Sequence, residues 1–204
     1  MLKSRFSDRF KWIHVQIGLF FSRFGFSANA WTALSIAPAV LGFISLWAHN
    51  LAAGLFFFAV SGFIDIIDGN VARVTKSVSN LGAFLDGVVD RYVEFSLYVG
   101  LWFYLDGISD IMLPNGLWLL LLVFGALMPS FITAYADHRN VITDPERLKK
   151  IGGILERFER QGLLYIGMFA GIFDLRLLQY TVITVVLLAN FTAIQRIFYV
   201  IRGR

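Results

Sequence analysis

Four aspartates stand at helical spacing in two neighbouring apolar stretches: Asp65 and Asp68 three residues apart, Asp86 and Asp90 four apart. On helices, each pair occupies one face. At about 1.5 Å per residue, Asp65 falls roughly 20 Å along a helix that starts at Leu51. Asp86 and Asp90 fall in the first turns of the following helix, at the same depth if the two run antiparallel. An ionised group placed well inside a membrane span costs about 2.5–3.5 kcal/mol. Four carboxylates on facing helices also repel one another unless cations neutralise them. Oxygen-only ligands select hard divalent ions such as Mg²⁺ or Mn²⁺, and a pair of such ions is the usual clamp for a moving phosphoryl group. Gly69, Ala72 and Gly82 are small residues beside these carboxylates, and would let a phosphate or nucleotide approach the backbone closely. Arg73 would pair with its oxygens. One intramembrane aspartate is commonly a packing residue bonded to a neighbour; four with interleaved glycines are not explained that way. Gly62 and Gly100 are read as helix-packing positions, and Arg91 with Glu94 as an ion pair supporting its helix.

The elements that must position these groups follow from composition. The 204 residues are 57% hydrophobic and only 16% charged, too little charge to cover a soluble domain of this size. An all-α integral membrane protein is expected, with one domain over residues 1–204. Six transmembrane helices are expected at about 29–47, 52–73, 81–105, 113–135, 158–173 and 175–201. The fifth is short and carries Glu159 and Arg160 at its entrance. Pro38 and Pro129 fall inside spans, where membrane helices tolerate them as kinks. The absence of cysteine excludes disulfides and thiolate-bound metals. The net charge of +4 reflects loop arginines and lysines rather than a nucleic-acid partner.

Residues 1–25 form a different kind of helix, and 26–204 the six-helix bundle. Phe6, Phe10, Ile13, Ile17, Phe20 and Phe24 share one stripe, while Lys3, Arg9, Lys11, His14 and Arg23 lie off it. This is the pattern of an amphipathic helix lying in the membrane interface; a helix packed on protein is the alternative. The first residues lack the apolar core and cleavage site of a signal peptide. Basic residues cluster before the first span (Lys3, Arg5, Arg9, Lys11, Arg23) and after the second (Arg73, Lys76). They recur after the fourth (Arg139, Arg147, Lys149, Lys150, Arg157, Arg160) and after the sixth (Arg202, Arg204). The opposite connections offer only Arg176. The positive-inside rule therefore puts both termini and the carboxylates toward the cytoplasm, in the cell membrane.

The run Asp65-x2-Asp68-Gly69-x2-Ala72-Arg73-x8-Gly82-x3-Asp86-x3-Asp90 resembles the CDP-alcohol phosphatidyltransferase signature at every defined position. The resemblance extends over the chain, since an interfacial helix followed by six spans is that family's fold. It implies a transferase of phospholipid biosynthesis that moves a phosphoalcohol from a CDP-linked donor to an acceptor hydroxyl, releasing CMP. By it, Asp65, Asp68 and Asp86 would hold one Mg²⁺ or Mn²⁺, and Asp65, Asp86 and Asp90 a second. Asp90 would also take the acceptor's proton. Gly69, Arg73 and Ser79 would contact the CDP part of the donor, with Ala72 and Gly82 lining it. The family's Pro-Asn-x-x-Thr element reads here Ala28-Asn29-Ala30-Trp31-Thr32; the proline is lost, and Asn29 and Thr32 remain as cytidine contacts or as a helix start. Homodimers are common in the family.

A phosphorylated acceptor needs cations besides Arg73, and Arg139 and Arg196 are the candidates, with Arg157 and Arg160 as supplements. The run from Thr133-Ala134-Tyr135 to Arg139, then Glu156-Arg157-x-Glu159-Arg160 and Gln195-Arg196, is similar to the inositol-phosphate-accepting branch. Asp137 stands where that branch places a second basic residue. Inositol 1-phosphate is the expected acceptor, with the glycerol 3-phosphate of phosphatidylglycerophosphate synthases second. CDP-diacylglycerol, an archaeal ether-lipid equivalent and the CDP-inositol of di-myo-inositol-phosphate-phosphate synthases are all open as donors. The rival of another class is a divalent-cation transporter. It is disfavoured by the absence of repeats, by the off-centre depth of the carboxylates and by the repulsion Arg73 would exert on a permeating cation.

Overall fold

The structure, a computed structural model, describes residues 2–149 and 151–202. For residues 2–11, Pro145 and Lys149 only the backbone is described, so the early part of the aromatic and basic pattern (Lys3 to Lys11) is not tested, and Lys150 and Arg204 lie outside the described residues. The fold is all-α. The helices in order are α1 (Leu2–Ser22), α2 (Ala28–Trp47), α3 (Leu51–Val74), α4 (Asn80–Leu105), α5 (Asn115–His138), α6 (Pro145–Lys149), α7 (Arg157–Gly171) and α8 (Leu175–Arg202).

Local chemistry sets several of the starts. Ser27, Asn50 and Ser79 cap α2, α3 and α4, each accepting a backbone N–H three residues on. At α7 the Glu159 carboxylate reaches back to the N–H of Glu156 at 2.6 Å. Pro38 and Pro129 stay within uninterrupted helices.

Each of the six expected spans has a helix at its place, but among the described residues only α2, α3, α5 and α8 are both long and apolar enough to cross a membrane. Four such helices make a multi-pass membrane protein. The other two depart for different reasons. α4 has 26 residues, ample length, but carries Asp86, Asp90, Arg91 and Glu94. α7 has 15 residues, short of the roughly 20 that a span needs. The connection between α5 and α7 contains the short helix α6.

α2 packs against both α3 and α4; α5 pairs with α8, and α8 with α7; α1 lies on α3. Leu46, Phe58, Leu101, Leu122, Leu164 and Val185 are fully buried where these helices meet. Small residues let the backbones approach: a Cβ at Gly100 would meet Leu46 at 2.9 Å, whereas at Gly62 the nearest atom is the Tyr165 hydroxyl at 3.8 Å. Packing of this kind, rather than release of water, holds helices together in lipid.

The apolar stripe of α1 is divided between protein and open surface. Ile17 and Phe21 pack on Trp31, Ile67 and Val71, while Ile13, Phe20 and Phe24 remain exposed. His14, grouped with the outward polar residues, turns toward α3. The helix therefore packs on protein with one side and leaves aromatic side chains uncovered on another.

Candidate active site

The carboxylates come together because α3 and α4 are each packed on α2 rather than tightly on one another. This leaves a cleft with acidic groups on both walls. One carboxylate oxygen each from Asp65, Asp68 and Asp86 lies within 4.8 Å of the others. Asp68 is buried and accepts a 2.6 Å hydrogen bond from the Thr32 hydroxyl of α2. That bond orients the carboxylate without neutralising it. Three oxygen ligands at this spacing fit a hard divalent cation, whose ligand oxygens sit about 2.1–2.6 Å from the ion.

Beside this group opens a cavity of about 220 Å³. Asn29 and Thr32 of α2, Gly69, Ala72 and Arg73 of α3, and Ser79 and Gly82 at the start of α4 all line it. Every residue expected to contact the donor thus faces one space, next to Asp68 and Asp86. Glycine at 82 keeps the space tight but open: a Cβ there would lie 3.0 Å from the Ser79 Oγ and 3.2 Å from the Asn29 Oδ1. The Ser79 hydroxyl is also the α4 cap, accepting from the Gly82 N–H at 3.0 Å, so its role as a helix start is plain. Arg73 reaches the cavity from the last turn of α3, with Nη1 donating to the Asn70 Oδ1 at 3.1 Å.

Asp90 adjoins the trio. One turn along α4, it is buried beside Asp65, and both of its oxygens accept from the Arg157 guanidinium at the start of α7. The four carboxylates are thus neighbours: three have oxygens within metal-binding reach of one another, and the fourth lies beside Asp65 and is also paired with an arginine.

A turn further on lies a second pair that the sequence reading did not anticipate. Arg160 is 2% exposed and donates Nη2 to Glu94 at 2.5 Å, with Nε reaching both Glu94 and the Tyr98 hydroxyl. Tyr98 in turn donates to Glu94 at 2.7 Å. Arg91 does pair with Glu94, but at 3.5 Å, and its other nitrogen donates to Ser130 at 2.7 Å. Arg160 is therefore closed into the bundle and does not supplement an acceptor site. The spacing held a usable signal: Asp90 and Glu94 four apart face Arg157 and Arg160 three apart, a two-rung ladder between helices.

Of the other expected acceptor cations, Arg196 is nearly buried. It donates to the Pro129 carbonyl and Thr133 hydroxyl, each at 2.9 Å, and to Glu156 at 2.6 Å. Arg139 ends α5 in the open, its guanidinium 5.9 Å from the Tyr135 ring centroid. The segment leading into α7 is fixed on α8, because the N–H groups of Ile154 and Leu155 donate to Gln195 and Thr192. This brings Arg157 and Arg196 to the two ends of one short stretch around Glu156.

An acidic cleft of hard-cation ligands beside a small-residue cavity, carried by an all-helical membrane bundle, is the arrangement of an enzyme that handles nucleotide-linked phosphate. The CDP-alcohol phosphatidyltransferase family model matches residues 26–201, and the chain belongs to that family. It is therefore a transferase. It is 30% identical over 152 residues to an archaetidylinositol phosphate synthase of Methanothermobacter thermautotrophicus, covering 74% of this chain and 71% of that one. The corresponding synthase of Pyrococcus horikoshii is 27% identical over 90% of this chain and 88% of its own length. In fold, the chain is similar to the phosphatidylinositol phosphate synthase of Mycobacterium tuberculosis with CDP-DAG bound. The TM-score is 0.78 at 23% identity, over 92% of this chain and 93% of that one. The same enzyme has also been solved with manganese and citrate. Family membership sets aside the reading as a cation transporter.

Proposed function

We propose that this enzyme transfers the phosphoalcohol part of a lipid CDP-alcohol to a hydroxyl of inositol 1-phosphate, releasing CMP. The observation that carries the reading is the single cavity shared by all seven expected donor contacts, with three carboxylates at its edge. The inositol-phosphate acceptor draws support from relatives named as archaetidylinositol phosphate synthases and from Arg157 and Arg196 flanking Glu156.

Asp65, Asp68 and Asp86 would hold one Mg²⁺ or Mn²⁺, and Asp65, Asp86 and Asp90 a second. Divalent ions there would offset the charge of the diphosphate and of the departing CMP. Arg73 pairs with the donor's phosphate oxygens, while Asn29, Thr32 and Ser79 with the small residues Gly69, Ala72 and Gly82 shape the cytidine diphosphate pocket. Asp90 accepts the proton of the attacking hydroxyl. The acceptor oxygen bonds to the β-phosphorus, and the bond from that phosphorus to the oxygen bridging to CMP breaks. Arg157 stands where it can exchange Asp90 for the acceptor's phosphate, with Arg196 and Arg139 as further cations. Positioning and charge complementarity supply most of the rate.

The chain acts as one domain, a homodimer with six helices through the cell membrane, α1 at the interface, and both termini and the site toward the cytoplasm. The basic residues on one set of connections support that orientation.

The test is CMP release by purified protein with Mg²⁺ and CDP-diacylglycerol or its archaeal ether counterpart. Inositol 1-phosphate, glycerol 3-phosphate, free inositol and serine are compared as acceptors. Metal-dependent release with inositol 1-phosphate is expected; release with glycerol 3-phosphate alone would replace that acceptor.

A further inference from the structure

Among the described residues, Arg73 is the one cation lining the donor cavity. It is also exposed, on a long side chain whose freedom must be lost when it engages a phosphate. What holds it is Asn70, one turn back on α3 and 2% exposed. A buried amide must satisfy both of its ends. An arginine can only donate, so the bond from Arg73 Nη1 at 3.1 Å fixes the Asn70 oxygen toward Arg73. The amide nitrogen must then find an acceptor elsewhere. It finds the His14 Nδ1, 3.1 Å away on α1. That nitrogen accepts only without its proton, so the His14 hydrogen sits on Nε2.

The approach of α1 is built for this contact. Gly18, one turn after His14, faces the same residue: a Cβ there would lie 2.6 Å from the Asn70 carbonyl oxygen and 2.7 Å from Val74. Glycine lets α1 lie against α3 closely enough for the imidazole to reach. Ile17 and Phe21, on the same side of α1, pack on Trp31, Ile67 and Val71.

We propose that His14 and Asn70 are positioning residues for the donor: α1 fixes Asn70 through His14, and Asn70 presents Arg73 to the donor diphosphate. Donor affinity then depends on a helix outside the bundle, none of whose described side chains lines the cavity. The inference rests on the reading of Arg73 as a donor contact.

The experiment measures CDP binding by calorimetry, and KM and kcat with CDP-diacylglycerol and inositol 1-phosphate, for wild type, His14→Leu, His14→Asn, Asn70→Ala and Arg73→Ala. His14→Leu should weaken CDP binding and raise the donor KM about ten-fold, the scale of one hydrogen bond to a charged network. The acceptor KM should not move. His14→Asn, whose Oδ1 falls close to where Nδ1 lies, should recover most of the loss. In an Arg73→Ala background the His14→Leu effect should vanish, because nothing is left to position. The relay is overturned if His14→Leu leaves donor affinity unchanged while Arg73→Ala weakens it, or if the two losses simply add. It is also overturned if His14→Leu lowers the melting temperature and kcat without a donor-specific change in KM. Should His14→Leu fail to fold, Asn70→Ala decides alone, with normal CDP affinity refuting the relay. Unchanged donor affinity in Arg73→Ala would instead refute the reading of Arg73 itself, and the relay with it.

Discussion

Along α4, two polar regions only a turn or two apart treat charge in opposite ways. Around the cavity, Asp68 and Arg73 have neutral partners, Thr32 and Asn70, which orient a charge and leave it uncancelled. Toward α7, Asp90 and Glu94 are met by the full charges of Arg157 and Arg160. A charge inside a membrane protein is costly unless something offsets it. Groups kept for an outside ligand must leave that offset to the ligand, whereas groups that fasten helices can take it from the chain. Asp90 sits at the boundary, four residues from Asp86 and four from Glu94, and it is the residue for which both fates meet.

The largest effects should come from the open side. Asp86→Asn should reduce CMP release by at least about 10³-fold, since charge stabilisation of a phosphoryl group dominates such reactions. With chelator present the same change should raise the melting temperature, because it removes one of three facing negative charges. A drop in melting temperature would mean that the cluster is internally compensated and would erase the contrast. Asp90→Asn should abolish turnover on a comparable scale while CDP binding stays within about two-fold. Equal loss of both, read by parallel kinetics and calorimetry, would move Asp90 from base to donor contact.

On the closed side, Glu94→Gln leaves Arg160 buried without its counter-charge and should cost about 3–5 kcal/mol of stability. Pairing it with Arg160→Met should return part of that loss, as measured by thermal unfolding in detergent with bound CDP absent. If the double variant is no better than the single, the pair is not the unit that fastens α4 to α7. The smallest effect expected is that of Thr32→Val, which removes one hydrogen bond to a carboxylate worth about 1.5–3 kcal/mol. It should raise the Mg²⁺ concentration for half-maximal activity about ten-fold and lower the unfolding free energy by less than the Glu94→Gln change does.

These two sides were unequally legible. Asp65, Asp68, Gly69, Ala72, Arg73, Gly82, Asp86 and Asp90 lie within 26 residues, on two successive helices, so helical periodicity alone puts them on facing surfaces. Helix positions came through to within a few residues because apolar runs and Ser or Asn caps mark them. Hydropathy also read α4 and α7 as spans like the others. Their charge and their shortness set them apart, since both are packed against neighbours rather than sized by lipid alone.

What the sequence determined by itself is the membrane class, the helical order and the placing of the aspartates and small residues on two successive helices, all carried by local spacing and transfer energetics. The tertiary structure decided which charges are free. Arg157 meets Asp90 across 67 residues, Arg160 meets Glu94 across 66 and His14 meets Asn70 across 56. No periodicity spans such distances: a basic residue reads alike in a loop, at an acceptor site or in a buried pair until packing brings a carboxylate to it. It was the docking of α7 that gave Arg157 and Arg160 their carboxylates, and the close approach of α1, allowed by Gly18, that brought His14 to Asn70.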